Sequence, residues 1–421
     1  MQYGPTLRPY NPRVIWGFLG VTTGGISMTH LHVKNKHHTG RSLEATEGHP
    51  PRNLRKQDRY RALLVLLSAT SLGLAACGSN SATTAASTTA APTSTTLTTS
   101  TSSGSGANPN YVKFTQVPIP PTLSVDFLAI DQTTHRLYDT NRTDSGVDVF
   151  DITTPHAKFL GTISLAAPPN GIVFAPDLNE LAVGLKNSSM AIIDVSSTKS
   201  IGKVVASVPT GGKARTDGVA YDPKDKLFIG VNGDDGFVSL VSASTNKVVH
   251  KVTLDKGLEI PAFDTADGMF YIDGSGKNLV YEVNPVTGTL VKSYPVGVPK
   301  CDPHGISINP TTNQALMVCG DANFTVLWNM ATHSVIKTFD QIGKGDAVVY
   351  DAKVNRWFVG AKHYSFGARI GIFSANPAEF LRAIVTTKAE DANPTAYDET
   401  NNIVYTVNRQ AGGLMSFPLP A

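Results

Sequence analysis

Asp126, Asn170, Asp217, Glu259, Asp346 and Asn393, with Asp302 or His304 between the fourth and fifth of them, stand at matching places in a repeating pattern. Each lies at the start of a short apolar run, and each offers an oxygen or an imidazole nitrogen. If the repeats close into a ring, these groups converge on one axis. A hard cation such as Ca²⁺ takes six to eight oxygens, so Ca²⁺ is the candidate cofactor at such a mouth. Lys213, Lys256, Lys300, Lys344 and Lys388 recur beside them with gaps of 43, 44, 44 and 44 residues. An acid follows each lysine within a few positions: Asp217, Glu259, Asp302, Asp346 and Glu390. The five lysines together with Asp126, Asp302, Asp346 and Asn393 are candidate ligand-binding groups. The plainer alternative is that they pair across repeat boundaries, where exposed ion pairs contribute roughly 0–1 kcal/mol each.

A period in the forties marks a β-propeller or a related array. The openings read SVDFLAID, NGIVFAPD, TDGVAYDP, EIPAFDTA, CDPHGISINP, GDAVVYDA and ANPTAYDE. A second apolar run follows each (RLYDTN, ELAVGL, KLFIGVN, GMFYID, QALMVCG, RWFVGA, NIVYTVN), then a third, and in most repeats a fourth. Short β-branched and aromatic runs split by Asp, Asn, Gly and Pro turns are the all-β signal. No sustained 3.6-residue period interrupts them. The seventh repeat stops after its third run. YVKFTQVPI, from Tyr111 to Ile119, can supply the missing fourth strand and remove an open edge. The expected fold is a seven-bladed β-propeller of four-stranded blades over 111–421, closed by an N-terminal strand. Trp328 and Trp357 fall on strand positions and are read as packing between blades.

The formal charge of +3 divides unevenly along the 421 residues. Residues 1–76 carry +7 and the remainder −4. The repeat domain is mildly acidic and has no basic stripe with interleaved aromatics, so no nucleic-acid partner is expected. It contains no G-x-S-x-G elbow, H-E-x-x-H pair or phosphate-cradling loop. The loop His363 to Arg369 is longer than its counterparts and carries His, Tyr, Phe and Arg. A loop on a rigid scaffold is a place for binding.

Arg52, Arg55, Lys56, Arg59 and Arg61 precede an apolar run from Ala62 to Ala76. That run is short for a membrane span, which needs about 20 residues, and fits the core of a secretory signal. It ends in Leu74-Ala75-Ala76-Cys77, which resembles a bacterial lipobox. The resemblance implies that Cys77 is lipidated and that 54–77 is a lipoprotein signal. Residues 1–53 read as unstructured or as an upstream mis-called start. The Ser/Thr-rich stretch over 78–110 reads as a flexible tether. Cys301 and Cys319 open one strand and end the next in repeat five, on the same face of a hairpin. An exported setting permits a disulfide between them; otherwise they are two buried thiols.

Lines such as TDGVAYDPKDKLFIGVNGDDGFVSLVSASTNKVV (Thr216 to Val249) resemble the YVTN-type propellers of bacterial surface and periplasmic proteins, which are NHL-like in pattern. A narrower resemblance is to calcium-dependent lactonases of the gluconolactonase and paraoxonase kind. It rests on the Asn170-Gly171 and Asp217-Gly218 pairs and on Pro303-His304-Gly305-Ile306-Ser307. That resemblance implies Asn170, Asp217 and Glu259 as metal ligands and His304 as a general base. It departs from the lactonase pattern in repeat one, where Val125-Asp126-Phe127 replaces an acidic Glu-Gly-Pro opening. In the Asn-Gly, Asp-Gly and His-Gly pairs, glycine would let the backbone approach a central ligand closely.

The expected protein is therefore a lipid-anchored, extracytoplasmic propeller facing the periplasm or the cell exterior. It is expected to be a monomer that acts as a binding platform for a small ligand or an envelope partner. The alternative is a Ca²⁺-dependent lactonase or related hydrolase at the channel mouth.

Overall fold

Successive runs of about six residues fold back on one another as antiparallel strands; the second and third of a blade are buried nearly throughout and the fourth alternates toward solvent. The computed structural model describes residues 115–118, 124–362, 367–386, 394–408 and 413–420. All of these fall within one unit, Thr98–Ala421. They form seven four-stranded antiparallel sheets. Blade 1 is β2 (Val125–Asp131), β3 (Arg136–Asn141), β4 (Gly146–Asp151) and β5 (Lys158–Ser164). Blade 2 is β6 (Pro169–Ala175), β7 (Glu180–Leu185), β8 (Ser189–Asp194) and β9 (Lys203–Pro209). Blade 3 is β10 (Val219–Asp222), β11 (Leu227–Asn232), β12 (Phe237–Ser242) and β13 (Lys247–Thr253). Blade 4 is β14 (Leu258–Asp264), β15 (Met269–Gly274), β16 (Leu279–Asn284) and β17 (Thr289–Pro295). Blade 5 is β18 (Pro303–Asn309), β19 (Gln314–Cys319), β20 (Thr325–Asn329) and β21 (Ser334–Phe339). Blade 6 is β22 (Gly345–Asp351), β23 (Arg356–Ala361), β24 (Arg369–Ala375) and β25 (Ala378–Val385).

Blade 7 has three strands from the C-terminal end, β26 (Ala396–Asp398), β27 (Ile403–Asn408) and β28 (Gly413–Pro418). Its fourth is β1 (Thr115–Pro118), which pairs antiparallel with β28 from Thr115 opposite Ser416 to Pro118 opposite Gly413. The ring is thus closed by a strand from the far end of the unit. The molecule is an all-β, seven-bladed propeller.

The turns between the first and second strands of the blades share one device. The side chains of Asp131, Asp222, Asp264, Asn309, Asp351 and Asp398 each accept a backbone N–H two residues on. This Asx turn fixes the hairpin and explains why six of the seven blades end their first strand on Asp or Asn; blade 2 ends its own on Ala175. Between blades the core is apolar. Tyr271, Val280 and Tyr294 of blade 4 pack with Met317 and Trp328 of blade 5, and Leu316 and Leu327 pack with Trp357 and Phe373 of blade 6. Both tryptophans are fully buried. Among the described residues no helix is long and apolar enough to cross a membrane.

Candidate functional site

The first, innermost strand of five blades does not pair evenly with the second. Its register slips between Val125 and Leu128, Pro169 and Ile172, Leu258 and Pro261, Pro303 and Gly305, and Gly345 and Ala347. The residues inside those slips include Asp126, Asn170, Glu259, His304 and Asp346. A bulge leaves its residue out of the ladder and re-aims the side chain, so the bulges gather these groups at one end of the channel. In blade 3 the ladder starts later, at Val219. There the Asp217 N–H donates to the Val231 carbonyl at 2.7 Å and puts Asp217 in the same ring. In blade 1 the amides freed by the bulge are satisfied by one hydroxyl: Thr140 Oγ1 accepts from Asp126 N–H at 3.1 Å and Phe127 N–H at 2.9 Å.

The ring acids are partnered by cations that the sequence reading did not single out. Arg142 donates through Nη2 to Asp126 Oδ2 and, at 2.6 Å, to Asn170 Oδ1. Its Nε donates to the Pro169 carbonyl at 3.0 Å. Arg215 lies 2.8 Å from Asp217 Oδ2 and 3.7 Å from Asp234. Lys362 donates to Asp346 Oδ2 at 2.7 Å. His304 Nδ1 lies 2.7 Å from the Asp302 carbonyl, and its Nε2 faces Glu259 Oε1 at 3.7 Å. The same Glu259 oxygen accepts from Ser275 Oγ at 2.9 Å. Arg142, Ser275 and Lys362 share a position: each is the first residue after the second strand of its blade. Arg142 and Lys362 directly follow the runs RLYDTN and RWFVGA, whereas Ser275 stands one residue beyond GMFYID, after Gly274.

Electrostatics follows from burial. Burial pushes the Asp217 carboxyl up to about 6, although the Arg215 guanidinium pulls it down; Glu259 and Asp346 add to the rise. Burial also raises Glu259, with His304 opposing. Asp273, behind Glu259 on β15, is fully buried and is held well above the usual carboxylate range, by burial and then by the Glu259 charge.

The expected lysine ring is placed differently. Lys213, Lys256 and Lys300 are exposed in the loops before the inner strands. The backbone N–H of Lys213 donates to Asp235 Oδ2 at 2.7 Å. Lys344 is half-buried, its N–H donating to the Ala322 carbonyl at 3.0 Å. Arg142, Arg215 and Lys362 form ion pairs with the ring carboxylates. Lys388, Asn393 and Cys77 lie outside the described residues, as do positions 363–366 of the long loop. Asp302 is half-buried and contributes its carbonyl to His304 and to Gly320 N–H. Cys301 and Cys319 are bonded to each other and fully buried, directly behind Asp302.

The glycines after Asn170, Asp217 and His304 let neighbouring blades approach. A Cβ on Gly171 would meet the Asp217 carbonyl, on Gly218 the Glu259 carbonyl, and on Gly305 the Asp346 carbonyl. The candidate metal ligands have protein partners. Asn170 Oδ1 already accepts from Arg142, Asp217 Oδ2 from Arg215, and Glu259 Oε1 from Ser275. Among the described residues no group of three or more His, Cys, Asp or Glu side chains is arranged to hold a metal ion. The oxygens present fit protein donors better than a cation.

These features define a seven-bladed propeller with a charge-paired ring at one end of its axis. No family model matches the chain. Two curated relatives, an uncharacterized protein YncE of Salmonella typhimurium and one of Salmonella typhi, are each 25% identical over 184 residues. That stretch is 43% of this chain and 50% of theirs, so the chain spans about half the length of the curated relatives it matches. The chain is thus distantly similar to YncE, a YVTN-type propeller protein. A chain in a crystal structure of the mitotic checkpoint complex superposes with a TM-score of 0.60 at 13% identity, covering 81% of this chain and 99% of that one. That likeness is one of fold.

Proposed function

We propose that this chain is an exported, lipid-anchored propeller that serves as a binding platform, offering the ring end of the channel to a small ligand or an envelope partner. The observation that carries this reading is the pairing at the ring. Arg142, Arg215 and Lys362 each sit on a ring carboxylate, so the surface is a fixed mosaic of both charges. Such a mosaic favours orientation and selectivity more than raw affinity. The anchor rests on the basic cluster, apolar run and Leu74-Ala75-Ala76-Cys77 order, and the Ser/Thr-rich tether would hold the propeller off the membrane. Replacing Cys77 with Ala should abolish metabolic lipid labelling and release the protein from the membrane fraction.

The hydrolase reading keeps one observation: His304 is oriented through Nδ1 by the Asp302 carbonyl and turns Nε2 toward Glu259. A general base needs such orientation. One experiment separates the two readings. The full chain is melted with EDTA and with added Ca²⁺. A ligand that binds only the folded state at a hundredfold excess over Kd stabilises by about 2.7 kcal/mol. The platform reading expects no Ca²⁺ response. It also expects a photo-crosslinker at Lys256 to give a discrete envelope adduct that disappears with Arg215→Glu. A Ca²⁺-dependent rise that is lost in Asp217→Asn would overturn it in favour of the hydrolase.

A further inference from the structure

Beneath the ring, the channel changes character. A cavity of about 440 Å³ lies on the axis and takes lining residues from all seven blades, from Phe127 in blade 1 to Thr395 in blade 7. Its lining begins one residue below the ring, at Phe127, Gly171, Gly218 and Ile260, and runs to the first hairpin turns at Pro176, Pro223 and Thr265. No Asp, Glu, Lys, Arg or His is among its lining residues, and none of the ring groups belongs to it. Ile172, Phe174, Val219, Ile260, Ile306 and Val348 set its surface. A second cavity of about 540 Å³ shares Leu128, Phe174 and Thr395 with it and continues the same space toward Asp131 and Asp351.

Four side-chain hydroxyls line this wall, those of Tyr221, Thr265, Ser307 and Thr395, and the last two are placed to meet a guest. Ser307 Oγ accepts the Tyr350 N–H at 3.0 Å and keeps its own proton to donate. The Thr395 hydroxyl is buried, at 2% exposure, and has no hydrogen-bond partner among the described residues. A buried hydroxyl without a partner costs about 1–3 kcal/mol in a folded protein, so one that lines a cavity points to a guest. Ligand sites have this form: ~300–1,000 Å³, apolar walls and a few convergent polar groups. Water gains little in such a space, because an apolar wall offers few hydrogen bonds, and apolar guests enter instead. A charged guest would be desolvated with no counter-charge on the wall.

We infer that the axial cavity below the ring binds a neutral, mostly apolar small molecule that carries one hydrogen-bonding group, met by Ser307 and Thr395. The ring places its charges at one end of the channel, and the guest enters from the hairpin-turn end. This site is separate from the ring surface and does not depend on the platform reading.

The test uses N-phenyl-1-naphthylamine, a neutral fluorophore that brightens in apolar surroundings, with the full chain carrying Cys77→Ser so that no lipid is attached. Saturable one-to-one binding is expected. Ala262→Phe and Val348→Phe fill the cavity and should weaken it at least tenfold. Val249→Phe adds the same bulk to an exposed outer-strand position and should leave it unchanged. Absence of saturable binding overturns the proposal, as does full binding in both cavity-filled variants with unaltered melts. Should those variants fail to fold, an uncharged apolar diazirine on the Cys77→Ser chain decides. Adducts mapped to the inner strands around Phe174, Ile260 and Ile306 support the site, and adducts confined elsewhere sink it.

Discussion

Asp217 is a carboxylate that the fold buries to 7% exposure and pairs with the half-exposed Arg215. Burial wins, and its carboxyl is pushed up to about 6. Below pH ~3.8 the group is protonated in both folded and unfolded chains, and its contribution to stability is fully present. As pH rises through about 6, the folded chain gives up a proton that the unfolded chain lost earlier, and that contribution is lost. Two units correspond to about 3 kcal/mol. Asp217→Asn should therefore flatten the fall in stability between pH 4 and 7, measured by denaturant titration at each pH. An unchanged pH profile would mean that Asp217 ionises normally. Arg142 presents the opposite balance. Its head group meets Asp126, Asn170 and the Pro169 carbonyl at once, with both acceptor side chains buried. Arg142→Ala removes one partner of a buried pair and should cost about 3 kcal/mol. Arg142→Lys keeps the charge but loses the planar fork, and should fall between. Equal stability of all three proteins would show that the pair contributes nothing.

At the scale of the element, the hairpin of β18 and β19 holds the imidazole. The Cys301–Cys319 bond ties the start of one strand to the end of the next across 18 residues. Asp302 lies beside that bond and Gly320 follows it. A Cβ on Gly320 would overlap the His304 ring. Gly320→Ala should therefore turn the imidazole off the Asp302 carbonyl and away from Glu259. The stability cost, by overpacking, is about 1–3 kcal/mol. The decisive readout is the His304 ring in an NMR titration: its resonances should shift in Gly320→Ala, while those of His250, remote in blade 3, should not. Unmoved His304 signals would show that the strand, not the glycine, sets the ring. The same logic applies to Gly218, where neighbouring inner strands touch through backbone; this is why the pattern demands glycine after the ring residue in several blades.

At the scale of the whole molecule, closure depends on four residues. β1 pairs along β28 and covers what would otherwise be an open edge. An exposed, unpaired strand edge templates association. A chain starting at residue 121 lacks β1, whereas one starting at 108 keeps it. The shorter chain should melt earlier and more broadly and should associate with rising concentration. Equal melts and a monomeric shorter chain would show that blade 7 closes the ring with three strands.

The sequence alone determined the number of blades, the identity of their strands and the columns that reach the mouth, because a repeated pattern of short apolar runs and Asx turns is a local property. It named Asp126, Asn170, Asp217, Glu259, His304 and Asp346 for the same reason: each follows the loop that begins a repeat. Only the tertiary structure decided what those groups meet. Which cation lies against Asp126 or Asp346 depends on the residues just after the second strands, Arg142 and Lys362, meeting acids that first-strand bulges re-aim and no periodicity records. The purpose of the glycines was likewise undecidable until one blade was laid against the next. The apolar cavity is further still from the chain's text: its wall is made of residues from every blade, and only closing the ring puts them around a common axis.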